Sequence, residues 1–252
     1  MARDFLIATA VIPKTGECPG YRPEHASTAL AWVPAAVSSM ESVTGQSVDL
    51  LALPAGYFAI DSYSPSAMQE LAEAVFDAGV KVTLATTVDA YDFGPSRRHL
   101  KLSYGVVMLG RSILGRPVQQ TSWTGAEGRA VRREDAQEEF RVHSVGGLRV
   151  GLLCCGEIFS PVVKEVLSNL APRVVINTAH RAMEDKGGLK GTWLRYLRQV
   201  SDEIDGWALF AGASYDPHGA DYNYYSGGQA SAVHQVRVPL VNVTLRCFSV
   251  SA

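Results

Sequence analysis

Short, dense apolar runs punctuate the chain, and amphipathic stretches with helical spacing fall between them. Phe5 to Val11, Val48 to Leu53, Val80 to Val88, Arg173 to Ala179 and Trp207 to Ala213 are rich in aliphatic residues and bounded by turn or charged residues. Such runs predict buried strands. Ala26 to Ser42 has a helical pattern with Pro34 inside it, which predicts a kink or a break. Ser66 with Gln69 three residues on is a capping-box pattern; Met68, Leu71 and Val75 then share a face and Gly79 ends it. Val163, Val166, Leu167 and Leu170 form another helical stripe, stopped by Pro172, and Trp193, Leu197, Val200 and Ile204 mark a longer one ending at Gly206. Tyr104 to Leu109 and Ser112 to Val118 predict a hairpin around Gly110-Arg111, and Val236 to Val250 predicts one or two closing strands.

Strands alternating with helices place the chain in the α/β class with a layered sheet. No fixed-period repeat or low-complexity linker divides it, so residues 1–252 are expected to form a single domain. Pro13 to Pro23 is expected to be loop, and Tyr91 to Lys101, polar and basic, an exposed loop. Thr121 to Glu139 carries the charged run Arg132-Arg133-Glu134-Asp135 and fits a solvated loop or active-site cover. Tyr215 to Gly228 is an aromatic, Gly-rich loop.

A net charge of -2 with no basic tract argues against a nucleic-acid surface. The amino terminus lacks the apolar stretch of a signal peptide, and no run is long enough to span a bilayer, so no membrane partner and a cytoplasmic location are expected. Cys18, Cys154, Cys155 and Cys247 show neither metal-ligand spacing nor disulfide-framework density, which fits a reducing compartment. No metal or organic cofactor is indicated.

The most informative stretch runs from Leu148 to Pro161. An apolar run ends in Cys154-Cys155, Gly156 permits a turn, and Ser160-Pro161 is a helix start, with Ser as N-cap and Pro at the first helical position. A thiol at the carboxyl end of a strand sits where open α/β sheets expose their chemistry. Because strand side chains alternate, only one of the two adjacent thiols can face a given side, and Cys155 is the candidate nucleophile. Free cysteines are also ordinary buried hydrophobes, so the pattern alone fits packing too.

In this order the chain resembles the nitrilase superfamily of carbon–nitrogen hydrolases. The segment from Gly151 to Phe159 is similar to that family's nucleophile motif, and aligns Cys155 with the nucleophile and Glu157 with the supporting acid that follows it. Asp49 to Pro54 resembles the family's first motif, and Trp207 to Ala213 its later core. The resemblance implies a four-layer α-β-β-α sandwich and association into a homodimer or larger homo-oligomer.

Two positions depart from it. The family's general-base Glu falls on Ala55, and its oxyanion Lys falls on Gln119 or Gln120, depending on a one-residue register. General acid–base catalysis typically contributes about 10²–10⁴-fold, and an oxyanion donor about 10²–10³-fold. Ordinary amide or nitrile hydrolysis is therefore expected to be severely impaired. The leading expectation is a degenerate homologue that binds a small amide-like molecule or a protein partner, as a regulatory or companion subunit. The alternative is an active thiol amidase or acyl transferase whose acid–base groups come from elsewhere. Glu127, Glu138, Glu139 and His180 are the candidate substitutes for the base, and His180, Glu127 and Tyr215 are possible pocket residues; solvated acids and a hydrogen-bonded strand-end histidine are the plainer accounts.

Overall fold

The computed structural model describes residues 3–13, 19–93, 99–121, 136–180, 189–214, 225–226, 234–238 and 242–251. Among the described residues, fourteen strands join one hydrogen-bonded sheet. Its first half contains β1 (Asp4–Pro13), β2 (Val48–Ala52), β3 (Ala59–Ile60), β4 (Thr83–Phe93), β5 (His99–Leu109), β6 (Ser112–Ile113) and β7 (Val118–Gln119). Its second half contains β8 (Val142–Val145), β9 (Leu148–Cys154), β10 (Val174–Ala179), β11 (Trp207–Ser214) and β12 (Tyr225–Ser226). The chain returns through β13 (His234–Val238) to β14 (Val243–Ser251), which lies antiparallel along β1 from Asp4↔Ser251 to Val11↔Thr244. The halves join where Val11 to Pro13 pair in parallel with Gly212 to Ser214.

Alternation along the strands then sorts the side chains into three apolar layers. Leu6, Ala8, Ala10 and Ile12 of β1 face α1 (Ala26–Leu30), α2 (Val33–Thr44) and α3 (Pro65–Asp77). Phe5 and Ile7 point the other way, toward Leu152, Ile176 and Leu209 of the opposite half. Leu153, Val175 and Phe210 emerge on the far side, under α4 (Pro161–Leu170) and α5 (Leu189–Ile204). Three apolar interfaces separate four layers, giving the α-β-β-α sandwich. Strands covered on both faces must be apolar on both faces, which is why their sequences read as continuous runs.

The expected break near Pro34 falls at Ala31-Trp32, between α1 and α2. The start of α3 is corrected: Ser64, not Ser66, is the N-cap, accepting from the Ala67 N–H at 3.0 Å, and Pro65 takes the first helical position. Gln69 instead donates to Glu73 and to the Arg111 carbonyl. The expected loop from Tyr91 to Lys101 is also corrected, because β4 and β5 extend into it and pair from Leu84↔Met108 to Phe93↔His99. Polar residues were read there as solvent-exposed backbone, but a two-stranded extension satisfies its own backbone groups. The second strand of the 104–118 hairpin is split into β6 and β7 around Gly115, at φ +71. No helix among the described residues is long and apolar enough to cross a membrane.

The two sheet halves approach closely at Gly105. A Cβ placed there would lie 2.7 Å from the sulfur of buried Cys154. Gly105→Ala is therefore expected to cost about 1–3 kcal/mol, the usual cost of overpacking a dense core, read as a lower denaturation midpoint in urea with an unchanged slope.

Candidate active site

The strand β9 delivers two thiols with opposite fates. Cys154 continues the strand's alternation and points between the sheet halves, fully buried against Gly105 and 3.8 Å from the Val118 carbonyl. Burial, reinforced by the nearby Glu157 carboxylate, pushes its thiol far above the ordinary range. Cys155 leaves the strand. Its φ of 47 lies in the left-handed region, a conformation that costs a residue with a Cβ about 1–2 kcal/mol. It opens a single-turn 3-10 helix, Cys155–Phe159, and Ser160 then caps α4 by accepting from the Val163 N–H.

Glu157 anchors this turn from within. It is fully buried and meets Arg141, also fully buried, in a two-pronged ion pair with both N–O distances 2.9 Å. Its carboxylate also accepts from the Cys154 N–H at 2.9 Å, the Thr121 N–H at 2.8 Å and the Thr121 hydroxyl at 2.9 Å. Burial alone would raise its pKa, but Arg141 and the donated hydrogen bonds hold it below the usual carboxylate range. The acid aligned with the supporting position thus organises the backbone beside Cys155.

A histidine and an aspartate from β10 and β4 meet beside Cys155. His180, one residue past β10, interacts with the Cys155 thiol. Its Nε2 lies 2.9 Å from Asp89 Oδ1 and 3.1 Å from Asp89 Oδ2. With Nε2 on the carboxylate, Nδ1 is the ring nitrogen left for the thiol. Asp89 in turn accepts from the Ser103 hydroxyl at 2.6 Å. The imidazole is 16% exposed and Asp89 only 2%, so bulk water screens their attraction poorly. Burial by itself would lower the histidine's pKa, but Asp89 and Cys155 outweigh it and raise it to about 9. Burial would raise the Cys155 thiol, yet His180 and the backbone N–H groups of His180 and Gly156 bring it below its ordinary value. Each group favours the charged form of the other.

Of the residues singled out from sequence, Cys155, Glu157 and His180 converge. Ala55 is fully buried and supplies no proton acceptor. Cross-strand register separates the two glutamines: Gln120 donates its N–H to the Ser103 carbonyl and shares the face of Ser103 and Asp89, whereas Gln119 pairs with Tyr104 on the other face. Glu139 is exposed and Glu138 half-buried in a 3-10 turn, Glu138–Phe140. Glu127 and Tyr215 lie outside the described residues. Sequence reasoning missed Asp89, Ser103, Arg141 and Asn177. A charged residue between Val88 and Ala90 in a buried run was the signal available for Asp89. No group of three or more His, Cys, Asp or Glu among the described residues is arranged to hold a metal ion.

Glu157→Gln is expected to cost about 3–5 kcal/mol, because it strands the buried Arg141 charge; equilibrium denaturation measures it. Since the folded-state pKa of Glu157 is depressed, its stabilisation is present above the unfolded carboxylate range and lost as pH falls through the folded value. A denaturation series into acid should show the wild type losing stability more steeply than Glu157→Gln.

No family model matches the sequence, and no curated protein matches it. Solved structures do. An amidase from Nesterenkonia sp. superposes with a TM-score of 0.59 at 16% identity, covering 99% of this chain and 92% of that one. A mutant of the Nesterenkonia AN1 amidase from the nitrilase superfamily gives 0.59 at 15% identity, over 98% and 92%. A glutamine-dependent NAD(+) synthetase from Cytophaga hutchinsonii gives 0.58 at 12% identity, over 98% of this chain but only 43% of that one. Identities this low establish architecture, and the architecture is settled: the chain has the nitrilase-superfamily fold.

Proposed function

We propose that this protein is a thiol-dependent acyl-transfer enzyme acting on carbon–nitrogen bonds, in which His180 and Asp89 take over the acid–base work that the superfamily resemblance assigns to a glutamate. The observation that carries this reading is His180 set between the Cys155 thiol, with which it interacts, and the Asp89 carboxylate, to which it is hydrogen-bonded. A further support is the structural likeness to an amidase in which the acetamide moiety of fluoroacetamide adds covalently at the active-site cysteine.

In the resting state Cys155 is a thiolate and His180 an imidazolium. The thiolate attacks the acyl carbon, and the electron pair of the broken C–N bond leaves on nitrogen, which takes the proton of His180. This gives a thioester on Cys155, a free amine and a neutral imidazole. His180 then removes a proton from water, the resulting hydroxide attacks the thioester, and the carboxylic acid leaves as the thiolate is restored. An amine or hydroxylamine in place of water turns hydrolysis into acyl transfer. Asp89 holds the ring by Nε2 and stabilises its positive charge, as the third member of a nucleophile–base–orienter series does.

The binding or regulatory role expected from Ala55 and the glutamines rests on the loss of the superfamily's own acid–base groups. His180 supplies a replacement for one of them.

Cys155 alkylation by iodoacetamide, placed by tandem mass spectrometry, should persist below the reference thiol pKa of ~8.5. His180→Ala should move the midpoint up by more than about one unit. With p-nitrophenyl acetate, wild type should form an acyl adduct on Cys155, and His180→Ala should slow its formation by about 10²–10⁴-fold. Turnover of a simple amide should fall as pH rises through about 9, where His180 loses the proton it must donate. Labelling that rises only at alkaline pH and ignores His180→Ala would sink this reading and leave a binding role.

A further inference from the structure

Cys155 faces His180 only while its backbone stays in the left-handed region, and a residue with a Cβ does not remain there unless its surroundings hold it. The peptide groups around the thiol are gripped from two sides. Glu157 takes the Cys154 N–H. On the opposite strand, Asn177 of β10 donates from Nδ2 to the carbonyls of both Leu153 and Cys155, each at 3.1 Å. Asn177 is fully buried, and its Oδ1 has no partner among the described residues. The amide orientation follows from chemistry: two carbonyl oxygens require the NH₂ end, and turning the amide over would set three oxygens together.

We propose that Asn177 is a positioning residue for the nucleophile: by tying the carbonyls on either side of Cys154, it fixes the left-handed turn at Cys155 that puts the sulfur on His180. Asn177 lies on β10, three residues before His180, which directly follows that strand, so one element sets both the turn and the base. A single amide bridging two carbonyls separated by one residue constrains their relative orientation, which a backbone ladder running in one register does not. The residue touches no reacting atom. Its effect on chemistry passes entirely through Cys155.

This inference rests on the acid–base reading of Cys155 and His180, and its test separates the two. Asn177→Ala and Asn177→Ser are compared with wild type for the pH dependence of Cys155 alkylation, with folding followed by circular dichroism. Serine keeps one hydroxyl donor; alanine keeps none. In Asn177→Ala, the labelling midpoint should rise by about one pH unit as the thiolate loses its imidazolium and N–H partners, and acyl-adduct formation should slow at least tenfold. Asn177→Ser should fall between. A merely structural asparagine would lower the denaturation midpoint and leave the labelling midpoint where it was. A folded Asn177→Ala or Asn177→Ser with the wild-type labelling midpoint therefore overturns the inference while leaving the acid–base reading intact. Should alanine fail to fold, the serine variant decides by the same readout. A wild-type protein labelled only at alkaline pH overturns both.

Discussion

A carboxylate taken fully out of water must be met by donors on every side, and around Glu157 they come from three separate parts of the chain. Arg141 approaches from just before β8, Thr121 from just beyond β7, and the Cys154 N–H from the end of β9. The ion pair brings together segments that no apolar packing would register this tightly, because hydrophobic burial is non-directional while hydrogen bonds are not. The turn that exposes Cys155 begins on this carboxylate. Breaking it would leave a guanidinium stranded in the core, so the pair contributes less as a source of stability than as a specification of one arrangement.

Around that fixed point, the two halves of the sheet divide the work. β9 and β10 lead to the thiol, Asn177 and the histidine, while β4 and β5 bring Asp89 and Ser103. The site lies where the halves face one another, near the close approach of Gly105 to Cys154. Low exposure there has two effects. It makes the deep thiol of Cys154 inert, and it strengthens the attraction between His180 and its neighbours until the outer thiol ionises more readily. Adjacent cysteines differ because one follows the strand's alternation into the core and the next leaves the strand with a positive φ.

Where the resemblance expects a glutamate and a lysine, a methyl group and an amide change the charge balance rather than simply deleting a function. A carboxylate base beside a thiol and an imidazolium beside a thiolate are different ways to hold one proton near sulfur. In the proposed mechanism the second carries its proton to the leaving nitrogen, and Asp89 provides the negative charge beside it. Gln120, on the face of Ser103 and Asp89, keeps a polar side chain there without a formal charge.

Runs such as Val48 to Leu53 and Arg173 to Ala179 show why the layered fold was legible in the sequence: a strand covered on both faces has no polar side to disguise it. The motif around Cys155, with Ser160 and Pro161 starting a helix, was legible for the same reason, since strand, turn and cap each depend on neighbours in sequence. Local signals failed where pairing partners were distant. Residues 91–93 and 99–101 form strand because β4 and β5 pair there with each other. The choice between Gln119 and Gln120 required cross-strand register, which one residue's shift inverts. His180 and Asp89 stand 91 residues apart in sequence. Their meeting depends on the folding of one half-sheet onto the other, and an imidazole acquires its proton affinity from whatever charge the tertiary structure sets beside it. The sequence determined the sandwich and the thiol; the tertiary structure alone decided what that thiol faces.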